Sequence, residues 1–99
     1  MFVHSVYFWL KEGLPAEDVE DFRRGLASLA GISSVRQSHI GVPAATNRPV
    51  IESSYSYALI LSFHDQQGHD LYQEHEVHDR FRQDCSPYWS KVLIFDSVN

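Results

Sequence analysis

The two ends of this 99-residue chain, "FVHSVYFWL" at positions 2–10 and "SKVLIFDSV" at 90–98, are apolar at both alternating sets of positions. Both are rich in β-branched and aromatic residues and read as strands. Strand one presents His4, Val6, Phe8 and Leu10 on one side and Val3, Ser5, Tyr7 and Trp9 on the other. Strand four presents Val92 and Ile94 on one side, Leu93 and Phe95 on the other. An antiparallel sheet with one face in water alternates apolar and polar residues. A sheet built on these two strands needs cover on both faces.

The segments between them supply cover for one. "GLPAEDVEDFRRGLASLAG" (13–31) places Val19, Phe22, Leu26 and Leu29 at helical spacing, with Pro15 suited to a first turn and Gly31 to a stop. Strand two is expected over Val35–Val42, a loop over "PAATNRPVIESS", and strand three over Tyr55–Phe63. Strand three offers Tyr55, Tyr57, Leu59, Leu61 and Phe63 on one face. Asp65 is placed to cap a second helix ending near His75, with a further helical piece over His78–Asp84 stopped by Pro87. The order βαββαβ predicts a ferredoxin-like α+β fold, with two helices on one face of an antiparallel sheet. Monomers rarely leave a large apolar face bare. The economical cover is a second copy related by two-fold symmetry, giving a homodimeric α+β barrel.

The totals exclude several classes. The length holds one domain, residues 1–99. A net charge of −5, with eight scattered Lys and Arg, lacks the basic face of a nucleic-acid binder. The apolar opening "MFVHSVYFWLKEG" is too short to span a bilayer and does not read as a signal peptide. Cys85 is the single cysteine, which fits a reducing compartment, the cytoplasm, and reads as a buried small residue. No phosphate-binding glycine loop, nucleophile elbow or paired-cysteine metal motif is present.

The chemistry concentrates in "LYQEHEVHDRF" (71–81), where Tyr72, His75 and His78 sit among Glu74, Glu76 and Asp79. On an unbroken helix, the six residues from Tyr72 to His78 leave roughly 120° between them, so they lie on different faces. If the helix ends near His75 and the chain bends, they converge as a phenol donor and an imidazole acceptor. The same stretch also reads as a hydrated helix end over a core tyrosine, or as a metal face of His75, His78 and Asp79 with His4 beneath. With no further ligand motif, no metal and no cofactor are expected. His39, His64 and His69 are expected to be exposed.

"VHSVYFWL", "DLYQEHEVHDRF" and "PYWSKVLIFD" together resemble the stress-responsive A/B-barrel (Dabb) family of dimeric α+β barrels, and in particular its plant polyketide cyclases. The resemblance implies an aldol-type ring closure with Tyr72 and His78 as the acid–base pair. It implies a small-molecule pocket between sheet and helices, walled by His4, Phe22, Leu59, Phe81, Trp89, Val92 and Ile94. Tyr57 stands where the cyclases carry a strand-three histidine, and Arg23 and Leu26 replace larger aromatic groups. Glu76 replaces a proline that commonly follows the first histidine, with His75 then towards the pocket rim. Two readings follow. One is a cofactor-free cyclase, lyase or isomerase acting on a carbonyl compound, with an oxygenase of the related barrel class as the enzymatic alternative. The other is a non-catalytic stress-responsive or ligand-binding barrel.

Overall fold

The computed structural model describes residues 1–99 as β1 (Phe2–Leu10), α1 (Ala16–Ala30), β2 (Gln37–Gly41), β3 (Tyr57–Phe63), α2 (Gln66–Glu74), α3 (Glu76–Cys85), a 3-10 turn (Ser86–Tyr88) and β4 (Trp89–Val98). The strands form one antiparallel sheet in the order β2-β3-β1-β4, with β1 paired to both β3 and β4. This is the ferredoxin-like arrangement expected from the element order. The second helical crossover is divided into α2 and α3, so three helices, not two, lie on the sheet.

Local chemistry accounts for the helix starts. The Pro15 carbonyl accepts from the Asp18 and Val19 amides at 3.0 and 3.2 Å, and Glu17 and Asp18 lie in the first turn. Their charge complements the partial positive charge at a helix N-terminus. The Asp65 side chain caps α2 by accepting from the Gly68 amide at 3.0 Å.

Two strand boundaries differ from the sequence expectation. β2 is shorter, because the Val35 amide turns back to the Ile32 carbonyl at 2.9 Å rather than joining the ladder. β3 begins at Tyr57, not Tyr55. Ser56 spends its side chain on the Leu10 amide, accepting at 2.9 Å. Tyr55 consequently packs edge-on against Tyr7, with ring centroids 5.0 Å apart, on the opposite sheet face from Leu59 and Leu61.

The core lies between the sheet and the helices. Val6 and Phe8 of β1, Leu59, Leu61 and Phe63 of β3, Phe22, Leu26 and Leu29 of α1, Tyr72 of α2 and Phe81 of α3 are all buried. Phe22 sits at its centre, fully buried and edge-on to Phe8 at 5.1 Å. Removing such a ring costs about 3–5 kcal/mol.

The opposite sheet face has no such layer. The molecule measures 37 × 33 × 17 Å, and its thin dimension accommodates one sheet and one helical layer. Leu93 and Phe95 are exposed, while Val3, Tyr7, Trp9 and Ile60 are half-buried beside them. Tyr7, Trp9, Tyr55, Leu93 and Phe95 line an open apolar depression of about 390 Å³ on this face.

α1 and α3 pack closely through Gly25, where an added Cβ would lie 2.8 Å from Cys85 Sγ and 2.9 Å from Phe81 Cδ1. Both neighbours are buried and have little room to retreat. Gly25→Ala gains about 1 kcal/mol of helix propensity, but overpacking costs roughly 1–3 kcal/mol. The expected outcome is a lower denaturation midpoint in urea. A variant as stable as the parent would mean that the two helices separate without cost.

Candidate active site

The quoted stretch contains the break that α-helical geometry alone does not supply. His75 is extended, at φ −70° and ψ 143°, between α2 and α3. Its amide donates to the Tyr72 carbonyl at 3.2 Å, closing α2. Its carbonyl accepts from the His78 and Asp79 amides at 3.0 and 3.2 Å, opening α3. Its Nδ1 accepts from the Val77 amide at 3.1 Å, so the histidine is itself the N-cap. A cap satisfies one of the amide groups that every helix start leaves free. Glu76 fills the first helical position without the proline that the resemblance would lead one to expect.

The bend turns His78 back over Tyr72. Their rings meet edge-on, with centroids 5.0 Å apart and an interplanar angle of 74°. Both line a cavity of about 320 Å³ between sheet and helices. β1 contributes His4, Val6 and Phe8, β3 contributes Leu59, and β4 contributes Trp89, Val92 and Ile94. The helices add Leu29, Gln73, Phe81 and Arg82. This volume is at the small end of the range for small-molecule sites, and the lining is mostly apolar with a few polar groups, as such sites are. A larger depression of about 620 Å³ between α1 and α3 is rimmed by Asp21, Arg24, Arg80 and Asp84, a mixed-charge surface without a base–acid pair.

Of the residues singled out in the sequence, Tyr72, His78, His4, Leu59, Phe81, Trp89, Val92 and Ile94 come together around the cavity. Phe22 lies behind it in the core. Tyr57 is half-buried against Phe22 at 5.7 Å, and His75 is the cap rather than a wall. Leu29, Gln73 and Arg82 line the cavity without having been picked out.

His69 is not exposed as expected. It is buried at 5% exposure, stacked on Phe2 at 4.4 Å, with Nε2 lacking any hydrogen-bond partner. The signal was its spacing, since His69 is three residues before Tyr72 and shares its helix face. Asp96 was also missed. It is the β4 partner of His4 in the sheet register, and its Oδ1 lies 2.5 Å from His4 Nδ1. An ionised carboxylate only accepts, so the proton in this contact belongs to Nδ1. Alternation in strand four carries Val92 and Ile94 on to Asp96, a lone acid on an apolar face.

Burial sets the protonation of the pair. It pushes the Tyr72 phenol well above its ordinary value, with no other group contributing. Desolvation lowers the His78 imidazole, helped by the Arg82 guanidinium, with His4 and His69 adding to it and Asp79 opposing. At neutral pH the site therefore holds a proton-free imidazole nitrogen beside a phenol that keeps its proton. His78 Nδ1 is buried without a hydrogen-bond partner. Cys85, by contrast, is pushed up to about 11 by burial and nearby Asp84 and Asp21, which leaves it a protonated core thiol.

Residues 2–99 match the stress responsive A/B barrel domain, Dabb, over almost the entire chain. The chain belongs to the Dabb family. No curated protein matches its sequence. Among solved structures it is similar to a Dabb protein with a ferredoxin-like fold from Mesorhizobium loti, at 25% identity and a TM-score of 0.79 over 99% of this chain and 95% of that one. It is similar to the hydroxynitrile lyase of Passiflora edulis, at 16% identity and a TM-score of 0.79 over 99% and 93%. A dimeric ferredoxin-like protein of unknown function from Thermobifida fusca aligns at 17% identity and a TM-score of 0.78 over 99% and 90%. The two lower identities speak to the fold alone. No helix of this Dabb protein is long and apolar enough to cross a membrane.

The lowered His78 value has a consequence for stability. Its folded-state value lies below the ordinary 6.5, so between the two the unfolded chain binds more protons. The contribution is complete above pH 6.5 and is lost as pH falls through the folded value. Melting temperature should therefore drop on going from pH 7.5 to 5, and the drop should be smaller in His78→Asn. Equal drops in parent and variant would show that His78 does not titrate in this way.

Proposed function

We propose that this Dabb protein is a homodimeric barrel whose sheet–helix cavity binds a small carbonyl compound, with Tyr72 and His78 acting on it as a cofactor-free acid–base pair. The observation that carries the reading is the pair itself: a neutral imidazole and a protonated phenol, rings 5.0 Å apart, on one apolar cavity. In the proposed step the His78 imidazole takes a proton from the carbon next to the carbonyl. The C–H electron pair moves into the carbonyl to give an enolate, and the Tyr72 hydroxyl donates to the oxygen that gains charge. In a cyclase the enolate carbon then bonds to a second carbonyl carbon, whose C=O pair moves onto its oxygen and takes the proton held by His78. In a lyase the enolate pair forms a carbon–carbon double bond to the β-carbon, and the group on that carbon leaves with its bond pair and takes the same proton. Leu59, Phe81, Trp89, Val92 and Ile94 are the proposed substrate walls and His4 a polar contact. Phe22 and Tyr57 back the walls, and His75 fixes the bend.

The sheet's bare apolar face supports the dimer, with a second copy as its cover. The dimeric Thermobifida fusca protein of the same fold is consistent with this. A single buried thiol, Cys85, suits the reducing cytoplasm. One observation favours a non-catalytic binding barrel instead. His78 has no hydrogen-bonded group to orient it, whereas general bases are commonly held by a third residue.

Loss of α-proton signal from a methyl ketone or β-keto thioester in D2O separates the two readings. The acid–base pair predicts exchange that falls by about 10²–10⁴-fold in His78→Ala and falls also in Tyr72→Phe, with both variants folded. Exchange equal to the parent in both would leave only ligand binding. For the dimer, Leu93→Asp or Phe95→Asp should give monomer or aggregate on size-exclusion chromatography with light scattering. A parent protein that is monodisperse and monomeric at micromolar concentration would sink the barrel.

A further inference from the structure

The geometry points to a divalent transition-metal site formed by His4, His69 and Asp96 beside the cavity. One ligand atom from each lies within 4.8 Å of the other two. Two imidazoles and a carboxylate form a donor set suited to zinc, cobalt, nickel or iron(II) rather than to magnesium or calcium. Ligand atoms around a tetrahedral zinc lie roughly 3.4 Å apart, given bonds of about 2.0–2.1 Å. The widest pair, at up to 4.8 Å, would thus close by about 1.4 Å and the His4–Asp96 pair, at 2.5 Å, would open by about 0.9 Å around an ion.

The unsatisfied nitrogen makes this more than a histidine–carboxylate hydrogen bond. The contact of His4 Nδ1 with Asp96 accounts for those two residues. It leaves His69 unexplained, because Nε2 is buried with no partner on a side chain only 5% exposed. A buried polar group without a partner costs about 1–3 kcal/mol. The Asp70 carboxylate lies 3.8 Å from His69 Nδ1, on the other nitrogen of the ring. At that distance it is a nearby charge rather than a hydrogen-bond partner, and it favours the proton on Nδ1, which leaves the Nε2 lone pair free to ligate.

The three residues come from rigid parts. His4 and Asp96 face each other in the β1–β4 ladder, and His69 is held between Phe2 and Phe63. The Asp96 side chain is 37% exposed, which gives an ion a way in and a fourth position open to water. The ion would replace the proton shared by His4 and Asp96.

Full-length protein dialysed against chelator and titrated with Co²⁺ tests the site. The expected result is one Co²⁺ per chain, with the visible absorption of a low-coordinate ion, and a higher melting temperature on adding Zn²⁺. His69→Phe keeps the aromatic stack and Asp96→Asn keeps the shape. Each should weaken Co²⁺ binding at least ~100-fold, since losing even an outer-shell partner costs 10–100-fold. His64→Ala, at an exposed histidine, should bind as the parent does. Melting without metal shows which variants fold, and His69→Gln stands in if His69→Phe does not. Parent protein that takes up no Co²⁺, or folded variants that bind it as tightly as the parent, would overturn the site. The titration reads binding and not turnover, so its outcome is separate from that of the acid–base reading.

Discussion

The hydrogen bond from the Val77 amide to His75 Nδ1 ends one helix and starts the next, and the cavity depends on that interruption. On a continuous helix, Tyr72 and His78 would lie roughly 120° apart, with His78 turned off the face that Tyr72 buries. With His75 extended, α3 sets off in a new direction and returns His78, Phe81 and Arg82 to the space over β1 and β4. A histidine does here what serine, threonine or aspartate does at most helix starts. It can do so only through an unprotonated Nδ1, because a protonated one has no lone pair to accept with. The same imidazole chemistry is thus used structurally at position 75 and left facing the cavity at position 78.

Burial then gives the two functional groups opposite biases. Desolvation penalises whichever form is charged, so it raises a phenol and lowers an imidazole. Tyr72, buried, and His78, half-buried, line the same cavity and are both driven towards their neutral forms. For Tyr72 burial acts alone, while at His78 the nearby Arg82 guanidinium adds to it. The apolar walls that would hold a ligand are also what keep its donor and acceptor in working states.

Most of the fold was legible in the sequence because alternation and helical spacing are local patterns. The stripe of Phe22, Leu26 and Leu29 and the two-faced strands at the chain ends led directly to βαββαβ and to a sheet with one face uncovered. What could not be read were choices between local hydrogen bonds. Tyr55 fits strand alternation, but Ser56 bonds the Leu10 amide and the ring falls on the other face. The spacing of His69 to Tyr72 marks the buried helix face, but nothing in that helix shows that the sheet brings Phe2 against it. Asp96 could have been found by continuing the alternation of strand four one step past Ile94. Its partner His4, 92 residues earlier, is set by strand register, which no single segment encodes.

β1 ties these parts together. Its even positions, His4, Val6 and Phe8, wall the cavity, while its odd positions, Val3, Tyr7 and Trp9, belong to the bare face. A slip of one residue in its pairing would exchange the two sets, placing His4 on the apolar outer face, away from Asp96, and Tyr7 among the core rings. Both neighbouring ladders oppose that slip, because β1 is bonded along its length to β3 and to β4. The register that buries His4 beside Asp96 is therefore the same one that gathers Tyr7, Trp9, Leu93 and Phe95 on the opposite side. In this chain the polar chemistry of one face and the bare apolar surface of the other are set by a single pairing decision.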